Sequence, residues 1–352
     1  MATTVRQDLV RRLTDATNGA FDVAAVYIGL RLGLYRSLAD DGPATPAELA
    51  ARTQTNERMI REWLEQQAAT ELLDAAATNG TWRFALPAEL EALLLDPENA
   101  DGFAGTIRGQ VAALVALPLV ADAVRTGAGV PYAAYGADNS EGEASSTAPV
   151  YRRELVGWLD AVPGLSDRLR AGGRVLDVGC GFGGSSLVIA EAFPAVTVDG
   201  IDRDEYSIAG ARARVHERGL DDRVHFEARE ATAVAGSGYD VALMLEMLHD
   251  LAHPVEVLGA VRRALAPDGV VIVADELTAD AFDGPADERD RRHYGWSILI
   301  CLPAAMTEPD SAATGAVIRP STVAGYAREA GFARTEILAI DTDAFRIYAL
   351  WP

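Results

Sequence analysis

The sequence predicts an α/β protein in which a Rossmann-like domain of seven strands, closed by an antiparallel hairpin, follows a mainly α winged-helix domain. Three observations carry this reading. From Arg174 onward, short apolar runs alternate with helical stretches, as in a doubly wound sheet. The first of those runs, Arg174-Val175-Leu176-Asp177-Val178, enters Gly179-Cys180-Gly181-Phe182-Gly183-Gly184 and then a helix over 185–193. Ahead of it, two short helices and a hairpin stand in winged-helix order.

From about Asp8 to Leu95 the pattern is helical, and no repeat of fixed period runs through the chain. Thr45, with Pro46 at the first helical position and Glu48 three residues after the cap, starts one helix. Asn56 caps a second over 57–69, where Met59, Ile60, Trp63, Leu64 and Gln67 share a face. Glu71 to Asp74 and Thr81 to Leu86, around Asn79-Gly80, read as a hairpin. On the second helix Arg58 and Arg61 are outweighed by Glu57, Glu62 and Glu65, the wrong sign for phosphates. The net charge of -21 points the same way, so no nucleic-acid partner is expected, and dimerisation and covering a pocket are better uses of this domain. Residues 127–149, rich in Gly, Ala, Ser and acids, read as an exposed connection. The expected division is therefore a winged-helix and dimerisation domain at 1–100, a helical connection and substrate-chamber segment at 101–170, and the α/β domain at 171–352.

Within that domain the second strand, Val196 to Ile201, ends in Asp202, and the third, Val224 to Glu227, leads to Glu230 and Ala231. The fourth, Tyr239 to Leu245, opens through Glu246-Met247-Leu248-His249-Asp250 on the ligand crevice. A helix at 254–265 precedes a fifth strand over 270–274, which ends at Asp275-Glu276. A helix at 321–330 and two strands joined at Thr342-Asp343 close the chain.

The glycine turn lets a ligand approach the backbone near a helix N-terminus. Gly179, Gly181 and Gly184 also fit a dinucleotide fingerprint, so a nicotinamide enzyme has to be weighed. Asp177 tips the balance: it has no use beside a pyrophosphate, but it can help hold an ammonium group, directly or through the turn's backbone. The alternative is a buried aspartate stapling the turn. Asp202 stands where a carboxylate accepts both ribose hydroxyls, and Glu230 stands beside the expected adenine. The closing hairpin is unlike a nicotinamide domain.

Val175 to Gly183, Ile201-Asp202, Tyr239-Asp240-Val241 through Leu248-His249, and Leu265-Ala266-Pro267-Asp268-Gly269 together resemble class I S-adenosylmethionine (SAM)-dependent methyltransferases. Leu49-Ala50-Ala51-Arg52 and Glu57 to Leu64 look like the winged-helix domain of the bacterial two-domain type, which includes small-molecule O-methyltransferases. The resemblance implies SAM as donor, S-adenosylhomocysteine as product, and a small, partly apolar acceptor between the domains. It places Gly179, Gly181 and Gly183 near the methionine part, Asp202 on the ribose, Arg203 and Glu230 with Ala231 at the adenine, and Leu245 and Glu246 along the cofactor crevice. Glu230 stands where the family more often has Asp. A relative that binds SAM but runs another reaction, and a SAM-binding regulator using its winged helix on DNA, are the rival readings.

His249 is the candidate base, because Leu248-His249-Asp250 resembles the segment in which phenolic O-methyltransferases carry their catalytic histidine. Glu276 could orient it or hold substrate, and Asp275 could do the same. In family members a lid covers the substrate at the place of 279–320. There His293, Tyr294 and Trp296 are substrate candidates, with packing as the alternative. No lysine occurs, which removes Schiff-base chemistry. Two distant cysteines, Cys180 and Cys301, suggest reduced thiols, and no metal site is expected. No apolar run is long enough for a bilayer, and Met1 to Arg12 does not read as a signal peptide, so a cytoplasmic homodimer without membrane contact is expected.

Overall fold

The computed structural model describes residues 2–99, 101–234 and 236–352. They form two compact units, Met1–Val111 with Glu141–Pro149, and Ala112–Ser140 with Val150–Pro352. Residues 101–170, expected as one connection, divide between them. The expected loop at 127–149 is largely helical, with a 3-10 turn at Tyr132–Tyr135 and a helix over Ala137–Asp160. Its small residues are packing contacts: a Cβ on Gly142 would lie 2.8 Å from the Gly105 carbonyl oxygen, so two helical backbones meet where the composition suggests a linker.

In the first unit the Thr45 side chain accepts from the Glu48 N–H at 3.3 Å and the Glu48 carboxylate accepts from the Thr45 N–H at 2.8 Å, starting the helix Pro46–Thr53. Asn56 caps Glu57–Ala69, whose Trp63 packs edge-on to Tyr35 and donates to the Ala25 carbonyl at 2.8 Å. The hairpin pairs β1 (Asp74–Thr78) with β2 (Thr81–Ala85), three residues later than the reading from Glu71. Glu71 takes a left-handed φ of 60° to leave the helix, and Leu72 and Leu73 fold into the core before the strand begins. On the exposed face of Glu57–Ala69, Arg58 and Arg61 pair with Glu62 and Glu57 at 2.5 and 3.0 Å.

The second unit holds β3 (Arg174–Val178), β4 (Thr197–Asp202), β5 (Val224–Ala228), β6 (Tyr239–Leu245), β7 (Leu265–Glu276), β8 (Arg334–Ile337) and β9 (Phe345–Trp351). Their order is β5-β4-β3-β6-β7-β9-β8, parallel except for β9, which runs antiparallel to both neighbours. Apolar clusters cover both faces, so the strands read as continuous hydrophobic runs. Sequence order reverses between β3 and β6, which opens a crevice at the carboxyl ends of those strands. The glycine turn after β3 and the loop after β6 both leave from that edge. Among the described residues no single helix is long and apolar enough to cross a membrane.

Candidate active site

Gly179, Gly181 and Gly183 all have positive φ, and Gly183 admits no side chain: at φ 73° a Cβ would lie 2.5 Å from the Phe226 ring. Asp202 ties this turn to the end of β4. Its Oδ2 accepts from the Gly181 N–H at 2.9 Å and its Oδ1 from the Asp204 N–H at 2.8 Å. Burial pushes its pKa up against these two N–H donors. Each oxygen keeps a second lone pair for a ribose hydroxyl. Leu245 ends β6 inside the core, and Glu246 turns the chain at φ 53° while its N–H donates to the Ala274 carbonyl at 2.8 Å. Arg203 is exposed and reaches Glu308 at 3.4 Å, and Glu230 is exposed ahead of a 3-10 turn at Ala231–Ala233.

Asp177 faces inward. At 1% exposure, its Oδ2 accepts from both the Ser185 and Ser186 hydroxyls at 2.6 Å, stapling the turn to the following helix. Any hold it has on a ligand therefore runs through the turn's backbone. Burial raises its pKa from 3.8 to about 6, more than the two serines lower it. A carboxyl whose folded pKa is raised adds stability that is full below its unfolded pKa and lost as pH rises through 6. Between pH 4 and 7.5, Asp177→Asn should thus gain about 2 kcal/mol relative to wild type, since one pKa unit is about 1.4 kcal/mol and the unfolded carboxyl is already partly ionised at pH 4. Urea unfolding of both proteins across that range checks this, and a constant difference would contradict it.

At the mouth of the crevice the 3-10 turn Leu248–Asp250 presents His249, 3% exposed. Its Nδ1 lies 2.5 Å from Asp275 Oδ1 and its Nε2 lies 3.3 Å from Asp250 Oδ1. The Nδ1 therefore carries a proton donated to Asp275, which orients the ring. Burial lowers the imidazole pKa, but the carboxylates of Asp275 and Asp250 overcome this and raise it well above 6.5. Asp275, not Glu276, orients His249. Successive side chains of β7 point to opposite faces, and Glu276 instead meets His293, whose Nδ1 is 3.2 Å from Glu276 Oε2. His293 is buried on the helix Glu288–Trp296, and desolvation lowers its pKa to about 4, leaving it neutral. Its neighbours scatter. The Tyr294 hydroxyl accepts from Arg319 at 2.9 Å, and Trp296 packs against the cluster of Val120, Tyr135 and Ile300.

Sequence reasoning did not single out Asp250 or Cys301 beside His249. Cys301 arrives from a turn of π-helix, Ser297–Cys301, with no local motif to mark it. Its thiol is pushed up to about 12, by burial first and then by Asp250.

Residues 169–307 match the family model of a methyltransferase domain, and residues 22–95 match an Rv2258c-like winged HTH domain. The 27-O-demethylrifamycin SV methyltransferase of Amycolatopsis mediterranei is 30% identical over 207 residues, 53% of this chain and 76% of that one. Among solved structures, the mitomycin 7-O-methyltransferase MmcR superposes with a TM-score of 0.75 at 21% identity, covering 99% of this chain and 100% of its own. Human N-acetylserotonin methyltransferase, solved with SAM, gives 0.71 at 18% identity and 97% of both chains. With the glycine turn, the Asp202 anchor and the closing hairpin in one sheet, this chain belongs to the two-domain, class I SAM-dependent methyltransferases.

Proposed function

We propose that the chain methylates a hydroxyl oxygen of a small, partly apolar acceptor, with His249 taking up the hydroxyl proton. The carrying observation is the Asp275–His249 pair beside the exit of β6. Bound SAM supplies an electrophilic methyl carbon on a sulfonium sulfur. Displacement there is in line, so alignment supplies much of the rate and a base is needed only to free the oxygen's lone pair. With Nδ1–H held by Asp275, the Nε2 lone pair is the proton acceptor, and the imidazolium that forms is stabilised by the same carboxylate. The carboxylates that raise the imidazole pKa also make it the stronger base once Nε2 is free. The cofactor contacts are Gly179, Gly181, Gly183, Asp202, Arg203, Glu230, Ala231, Leu245 and Glu246, with Asp177 acting through the turn. Neutral His293, beside Glu276, is the acceptor-side contact, while Tyr294 and Trp296 shape the lid around it.

The same reading makes the protein a cytoplasmic homodimer without nucleic acid or membrane contact. Val5, Leu9, Leu13 and Phe21 of the helix Ala2–Arg31 are each more than half exposed, which supports a partner copy. Arg58 and Arg61 of the helix Glu57–Ala69 each pair with a glutamate of the same helix, which supports the absence of DNA.

The test is transfer of labelled methyl from SAM to a panel of phenols, hydroxyquinones, alcohols and amines. Stoichiometric S-adenosylhomocysteine and a labelled methyl ether are expected. Label found only on nitrogen or carbon would overturn the oxygen assignment.

A further inference from the structure

The ligating atoms of His249, Asp250 and Cys301 all lie within 4.8 Å of one another, on one buried and two half-buried residues. We propose that these three side chains form a site for a single thiophilic divalent cation of the Zn²⁺ class, and that its occupancy switches off methyl transfer.

Four observations converge there. The donor set is one imidazole nitrogen, one carboxylate oxygen and one sulfur, a combination that suits zinc and leaves a fourth tetrahedral position open. The Nε2 of His249 and Oδ1 of Asp250 are 3.3 Å apart. Two donors at about 2.0–2.1 Å from one tetrahedral zinc stand about 3.4 Å apart, so this edge of the site is already formed. The Cys301 thiol lies within 4.8 Å of both donors and closes on the cation to complete the set. Asp275, holding Nδ1–H at 2.5 Å, is the carboxylate that metal-bound histidines commonly have behind them; it fixes the tautomer with the Nε2 lone pair toward Asp250. Finally, Asp250 Oδ1 is buried facing that lone pair with no N–H or O–H donor among the described residues, and the hydrogen-bond partner its carboxyl has is the Cys301 thiol. Two acceptors at 3.3 Å need a positive charge between them, supplied by a proton or by a metal ion. The π-helical turn that brings Cys301 in as a third donor favours the metal.

On binding, the Cys301 thiol gives its proton to water and Sγ, Nε2 and Oδ1 each donate a lone pair to the cation; no electron is transferred. The cation then occupies the Nε2 lone pair that would accept the acceptor's proton. The binding claim stands by itself, while the effect on turnover rests on the base assignment above.

The experiment titrates Co²⁺ into the full-length, reduced, chelator-treated protein. A near-ultraviolet thiolate-to-cobalt charge-transfer band saturating at one equivalent and displaced by Zn²⁺ is expected. Cys301→Ser should abolish the band while circular dichroism stays unchanged. Asp275→Asn should weaken binding about 10- to 100-fold without removing the band, as loss of an outer carboxylate does. Absence of the band, or a band that survives in Cys301→Ser, would overturn the site and leave a proton between His249 and Asp250. Stoichiometric Zn²⁺ should also stop methyl transfer in the wild type. Full binding with undiminished transfer would instead uphold the site and overturn both the switch and His249 as base.

Discussion

Asp202→Ala is expected to weaken SAM binding at least about 100-fold, or about 2.8 kcal/mol, read by calorimetric titration against wild type. Two losses add. The ribose hydroxyls lose their carboxylate acceptor. The Gly181 and Asp204 N–H groups lose the oxygens that accept from them at 2.9 and 2.8 Å, so the glycine turn is no longer tied to the end of β4. Asp202→Asn separates the two losses. Its amide oxygen can keep one of these N–H bonds, so it should fall between wild type and alanine. A parallel titration with NAD should show no saturable binding to any of the three proteins. Wild-type affinity for SAM in Asp202→Ala would remove this carboxylate from the cofactor site.

His249→Ala should lower kcat about 10²- to 10⁴-fold for a hydroxyl acceptor, the range a positioned general base supplies, while the calorimetric Kd for SAM stays within about twofold. The split matters because His249 is also buried against Asp275, and its loss leaves that carboxylate without its closest partner. A purely structural histidine would show its effect in thermal stability and in SAM affinity together with kcat. An acceptor that is already ionised at the assay pH gives an independent readout, since it has no proton to lose: the deficit of His249→Ala should shrink for it. An equal deficit with both kinds of acceptor would assign His249 a positioning role.

Much of this protein was legible from its sequence because the signals involved are local. The capping box at Thr45 and Glu48 needs only residues three apart, and it is present as read. Val175 to Gly183 specifies strand, turn and helix within one short segment, and Gly183 is obligatory there because Phe226 fills the space of a side chain. The same holds for Asp202 at a strand end and for the closing hairpin, whose pairing follows from two adjacent strands.

What the sequence left open depends on distance. A run of Gly, Ser and acids at 127–149 suits a loop on composition alone; it is helix because Gly142 lets a second backbone, at Gly105, come close. Asp275 and Glu276 are neighbours in sequence with the same chemistry, yet the pleat of β7 sends one to His249 and the other to His293. Two histidines of the same intrinsic pKa part company for the same reason. Two nearby carboxylates hold one well above its ordinary value, while desolvation takes the other to about 4. Cys301, far along the chain from His249, joins it through a π-helical turn that no periodicity announces. Sequence by itself determined the fold, the glycine turn and the family, because these rest on turns, caps and strand ends. Tertiary structure alone decided which acid serves which histidine and which side chains share the buried corner, because burial and side-chain direction are properties of the packed sheet.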